Sequence, residues 1–175
     1  MRLLGNGLVR IHLLKFVEML FDMVIGIPER HSGRHELQRP VGREHIRDFA
    51  TAIGDHNPAF HNLDAAQELG YDDLIAPPTF PFTLTMKAMA MAMFDPDLGL
   101  DYGRVVHGEQ HFTYERPICA GDELSVHTTI DDIRSAGRNE FLTTRSEVRT
   151  TAGELVVTTR EVIVSRGTAT AEEDA

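Results

Sequence analysis

One cysteine, Cys119, stands in 175 residues, which excludes an intrachain disulfide framework and suits a reducing compartment, so a cytoplasmic location is expected. Positive charge is short as well: 17 Lys and Arg against 27 Asp and Glu leave a formal charge of −10. That balance disfavours nucleic acid and anionic membrane surfaces as partners. Long uncharged apolar runs are missing from the N-terminal region, where residues 8–27 are rich in Leu, Val, Ile, Phe and Met but carry His12, Lys15, Glu18 and Asp22 at three- and four-residue steps. Such a stripe reads as an amphipathic helix. Each ionisable group would cost roughly 2.5–3.5 kcal/mol at a bilayer centre, and no small-x-small site follows an uncharged core, so neither a membrane span nor a cleaved signal is expected.

What is present supports one domain with a substantial core, since 42% of the chain is hydrophobic. Residues 43–53 place Ile46, Phe49, Ala50 and Ile53 on one helical face, with Gly54 ending the helix. Residues 79–94 are apolar almost all round, through Phe80, Phe82, Leu84, Met86, Ala88, Met89, Met91, Met93 and Phe94. A helix without a polar face belongs inside the molecule. Four extended stretches follow, near 105–116, 122–134, 138–151 and 154–166, punctuated by Gly121-Asp122, Ala136-Gly137 and Ala152-Gly153. In the last, Leu155, Val157, Thr159 and Glu161 alternate with Val156, Thr158, Arg160 and Val162. A further strand is expected near 36–41.

Chemistry concentrates in Gly54-Asp55-His56-Asn57-Pro58-Ala59-Phe60-His61, followed by Asp64-Ala65-Ala66, Gly70-Tyr71 and Ile75-Ala76-Pro77-Pro78-Thr79-Phe80. An Asp-x-Asn-Pro turn, a short helix, a Gly-aromatic pair and a loop opening onto a long apolar helix together resemble the MaoC-like hydratases and dehydratases of acyl thioesters. A second stretch, Tyr114-Glu115-Arg116-Pro117-Ile118-Cys119-Ala120-Gly121-Asp122-Glu123-Leu124, resembles that family's Arg-Pro-Val-x-x-Gly-Asp turn. The resemblance covers most of residues 40–166 and is nearest to the N-terminal, non-catalytic domain type. It implies an α+β hot-dog fold, an antiparallel sheet wrapped around one long buried helix, as packing an all-apolar helix also requires. It begins near Met23, which sets residues 1–22 apart as an N-terminal extension, 23–167 as the hot-dog domain and 168–175 as an acidic tail expected to be disordered.

The chain departs from the family where the reaction is carried out. Catalytic members have a His five residues after the Asp and an Ile-Ala-His-Gly loop; here those positions hold Phe60, Pro77 and Pro78. Interconverting an enoyl and a 3-hydroxyacyl thioester needs a positioned acid and base and a donor to the enolate-like oxygen. Phe60 moves no proton, and Pro78 has no N–H to offer at a helix N-terminus. The oxyanion loss alone would cost roughly 2–4 kcal/mol of transition-state stabilisation, and the acid/base loss about 100-fold or more.

The resemblance therefore implies the substrate-binding subunit of a heterodimeric (3R)-hydroxyacyl thioester dehydratase of fatty-acid metabolism. Its partner would be a catalytic MaoC-like hot-dog subunit, its substrate an acyl-CoA or acyl-ACP, and no cofactor is expected. Asn57, Phe60, Pro78, Thr79, Phe80 and Phe82 are the expected substrate-binding residues, with Asp55 and His61 at the mouth. Three alternatives stay open: a self-sufficient homodimeric hydratase using Asp55 and His61, a module that binds acyl thioesters without turnover, and, less favoured by the Asp-x-Asn-Pro loop, a thioesterase. A one-residue slip to His61 points a side chain to the wrong face of extended chain, which weighs against the first. Asp55 and Asn57 also suit an ordinary Asx turn, and the methionines ordinary core filling. No metal site is expected: on a strand, His107 and His111 lie about 13 Å apart, and His31 and His35 lack carboxylate or thiol neighbours. Cys119, in a turn, is a poor nucleophile.

Overall fold

The 43–53 pattern folds as α1, Arg43–Ala52, with Ile46 and Ala50 buried. Ile53 does not join that face. It is the C-cap and 44% exposed, because the helical periodicity that would carry it inward stops one residue earlier. Gly54, at φ +73°, turns the chain out of the helix. The structure is a computed structural model that describes residues 40–93 and 99–169. Residues 1–39, and with them the amphipathic stripe and most of the 36–41 strand, lie outside it, as do Phe94 and the end of the acidic tail. Pro40 forms a lone bridge to Glu123. Thr168 and Ala169, placed with the tail by sequence, are hydrogen bonded to Ser165 and Arg138.

A 3-10 turn at Pro58–Phe60 and the short α2, Leu63–Glu68, lead to α3, Pro81–Met93. Strands β1 (Val105–Tyr114), β2 (Leu124–Ala136), β3 (Asn139–Thr150) and β4 (Leu155–Ser165) follow. They form one antiparallel sheet in the order β1-β4-β3-β2, against which α3 packs over β2, β3 and β4. Gly137 at φ +61° and Gly153 at φ +91° make the two tight connections in the meander.

The buried interior is not continuous. One apolar cluster gathers Val41, Ile46, Ala50, Phe60, Leu74, Phe80, Ile118, Val126, Val148 and Val157, with Leu84, Phe112 and Tyr114 against it. A second holds Met89, Leu142 and Ile163, with Met86, Met93, Leu100 and Val105. On the helix-facing side, Val157 and Ile163 of β4 belong to different clusters, and between them stand Thr159 and Glu161, both 0% exposed. β3 repeats the arrangement: Val148 and Leu142 flank Ser146 and Thr144.

The polar positions line up in register. Gln110, Glu161 and Thr144 are successive cross-strand partners, and the next row pairs Thr159 with Ser146 and Ser146 with Thr128. From above, α3 contributes Thr85, 0% exposed, so the helix is not apolar all round as its composition suggests. A polar belt thus crosses the sheet under the helix.

Candidate functional site

The Asp-x-Asn-Pro loop is held by its own side chains. Asp55 Oδ1 accepts from Asn57 N at 3.0 Å, and Asn57 Oδ1 accepts from Ala59 N at 3.1 Å, capping the 3-10 turn. Both are Asx devices of the ordinary kind. His61 Nε2 lies 2.8 Å from the main-chain carbonyl of Asp55, not from its carboxylate. Arg47 of α1 fixes the other side of the residue by donating to the His61 carbonyl at 3.0 Å. Asp55 and His61 are thereby brought into one turn, each committed to backbone.

Phe60 is 5% exposed and Phe80 4%, and both belong to the first apolar cluster. Phe80 meets Phe49 edge-on, ring centres 5.5 Å apart, a geometry that favours the ring quadrupoles. Phe82 is half-buried with its ring 5.8 Å from that of His107. Pro78 and Thr79 are exposed, Pro77 fully buried. At the start of α3 the N–H groups of Phe80, Phe82 and Thr83 are used by the carbonyls of Pro77, Thr79 and Phe80. The Pro78 carbonyl itself accepts from Tyr114 Oη at 2.9 Å, and burial raises the Tyr114 phenol well above its ordinary value.

The two stretches that carry the family resemblance are tied together. Ala76 N donates to Ile118 O and Ala120 N to Leu74 O, each at 2.8 Å, around the Ile75–Cys119 bridge. Arg116 grips Asp122 with two hydrogen bonds of 2.8 and 2.9 Å, and Asp122 Oδ2 also accepts from Cys119 N at 2.8 Å. This fork holds the Arg-Pro turn shut. The Cys119 thiol is pushed up by burial and then by Asp122, which disfavours the thiolate.

Sequence reasoning missed the buried carboxylate. Glu161 Oε1 accepts from Thr85 at 3.0 Å, Thr159 at 3.2 Å and Gln110 Nε2 at 3.3 Å, and Oε2 from Thr144 at 2.8 Å. All the donors are uncharged. Gln110 Oε1 is buried without a hydrogen-bond partner among the described residues. The available signal was a threonine inside the apolar 79–94 run together with alternating Thr and Glu on two neighbouring strands. Elsewhere, a pocket of about 60 Å³ lies beside Leu100, Ile133, Phe141 and Ile163, and none of the expected site residues lines it. Among the described residues no three His, Cys, Asp or Glu side chains come together as metal ligands, and no helix is long and apolar enough to cross a membrane.

Comparison with known proteins agrees with this architecture. Residues 30–159 match the family model described as FAS1-like, dehydratase domain region. A UPF0336 protein of Parafrankia is 56% identical over 129 residues, covering 74% of this chain and 85% of the relative. One from Saccharopolyspora erythraea is 51% identical over 133 residues, covering 76% and 85%. Among solved structures, a chain of the C-terminally truncated HadBC (3R-hydroxyacyl-ACP dehydratase) complex from Mycobacterium tuberculosis is 33% identical with TM-score 0.65, covering 75% of this chain and 92% of that one. A MaoC-like dehydratase is 32% identical with TM-score 0.68, covering 77% and 41%. The R-hydratase PhaJ1 from Pseudomonas aeruginosa, at 19% identity and TM-score 0.58 over 84% and 91%, shares the fold. With its Asp-x-Asn-Pro loop, its Arg-Pro turn and its helix laid on an antiparallel sheet, the chain belongs to the FAS1-like dehydratase-region family of MaoC-like hot-dog proteins.

Proposed function

We propose that this chain is the substrate-binding subunit of a (3R)-hydroxyacyl thioester dehydratase, supplying acyl-chain contacts while a catalytic MaoC-like partner supplies the acid and base. The observation that carries the reading is Phe60: at the position where the resemblance expects a proton-transferring His, an apolar ring is packed 5% exposed in the core. Pro78 adds to it, since proline brings no N–H and its carbonyl is held by Tyr114. The 33% identical structure is described as a (3R)-hydroxyacyl-ACP dehydratase complex, which supports an acyl-ACP or acyl-CoA substrate.

The hot-dog domain is assigned to residues 23–167, in a cytoplasmic protein. Its partner joins along β1, an edge strand whose outer backbone has no neighbour among the described strands. On this reading the purified chain hydrates crotonyl-CoA or longer enoyl-CoA barely above background. Robust turnover that disappears in both Asp55→Asn and His61→Ala would install the homodimeric hydratase instead. That second reading draws on the shared turn, in which the His61 ring lies 2.8 Å from the Asp55 main-chain carbonyl.

A further inference from the structure

We infer that the polar belt through Glu161 limits how much acyl chain this subunit accommodates. The inference rests on the substrate-binding reading above, in which the chain enters at the Pro78 end of α3 and runs between helix and sheet. Near that end the first apolar cluster offers Phe80 and Leu84 of the helix and Phe112 of the sheet. Thr85 comes about 6 Å of helix rise after Pro81, and there the helix is bonded to the sheet through Glu161.

Passing that point would mean parting the carboxylate from its hydroxyl and amide donors, or laying methylenes directly against it. Either leaves buried polar groups unmatched. The second apolar cluster, around Met89 and Ile163, is the same material as the first and would otherwise extend the path. What separates them is the Gln110–Glu161–Thr144 row, supported by Thr85. Glu161 is thus a specificity-determining residue that needs no contact with the reacting atoms.

The experiment measures binding of saturated acyl-CoA thioesters, from butyryl to palmitoyl, to the full chain by calorimetry. In the unaltered chain affinity rises by about fourfold per methylene and then levels off. Glu161→Leu, which fills the same space with apolar atoms, moves the plateau to longer chains; Glu161→Gln, which keeps a polar group there with one hydroxyl bond reversed, leaves it in place. Should Glu161→Leu fail to fold by circular dichroism, Thr85→Val removes the helix-side donor and shifts the plateau in the same direction. A plateau unmoved in a folded Glu161→Leu or Thr85→Val variant overturns the inference and leaves the subunit reading standing. Absence of acyl-chain binding in every form overturns both.

Discussion

Gln110 and Glu161 face each other across β1 and β4, and the Gln110 amide nitrogen donates to the Glu161 carboxylate at 3.3 Å. Because Glu161 is 0% exposed and its donors are neutral, substitutions there separate hydrogen bonding from volume. Glu161→Ala leaves Thr85, Thr144 and Gln110 without their acceptor and opens a cavity, so a loss of about 3–5 kcal/mol in urea unfolding is expected. Glu161→Gln changes stability by less than about 1.5 kcal/mol, since its NH2 reaches toward the orphaned Gln110 Oε1 or a threonine hydroxyl.

The Arg116–Asp122 fork closes the turn that docks onto the 74–76 segment. Asp122 has a side chain only 15% exposed, so removing its partner strands a half-buried carboxylate. Arg116→Ala should cost about 1–3 kcal/mol, and Arg116→Lys should recover only part of it, because an ammonium makes no planar fork. The check is a denaturation series of the three proteins.

Gly108 sits at the bulge in β1, where a Cβ would lie 3.1 Å from both the Val162 carbonyl and Val164 Cγ2. Gly108→Ala forces those neighbours to yield, at about 1 kcal/mol, and misaligns the outer edge of β1. Size-exclusion chromatography at micromolar concentration should show a dimer for the unaltered chain and a shift toward monomer for the variant. A monomeric unaltered chain would count against pairing through this edge.

Acid sensitivity has a definite sign. Hydrogen bonding from Arg43 lowers the Asp73 carboxyl below its ordinary 3.8, and Arg149, then Arg145, lowers that of Glu147 below its ordinary 4.5. A carboxylate depressed by folding contributes stability above its unfolded value, lost as pH falls through the folded one. The urea midpoint should therefore hold between about pH 7 and 5 and decline below about pH 4.5. In Arg43→Ala and Arg149→Ala the same decline should be shallower. Both pairs are partly solvent-exposed and so partly screened.

Much of the architecture was legible without coordinates. The four strands fall within about two or three residues of where alternation and the Gly121, Gly137 and Gly153 turns put them, because period-two patterning and positive-φ turns are local properties. The Asx turns of Asp55 and Asn57 were legible for the same reason. Ile53 was not: a helical face can be projected past the point where the helix ends, and only the capping geometry stops it. Nor was the ring contact of Phe82, whose neighbour His107 is 25 positions away in the chain.

By itself, then, the order of amino acids determined the fold family, the element sequence, a side chain without a titratable group at Phe60 and a residue without a backbone N–H at Pro78. Each of these depends on side-chain identity or on patterns spanning a few residues. Tertiary structure alone decided that Val157-Thr158-Thr159-Arg160-Glu161 turns its threonine and glutamate toward the helix rather than toward water. Alternation states which residues share a face of a strand but not which face is dry. That follows only when α3 settles on the sheet and Thr85 arrives opposite Glu161, 76 positions away. A polar row then becomes a buried belt instead of a solvated surface, because the donors needed to bury a carboxylate come from separate elements.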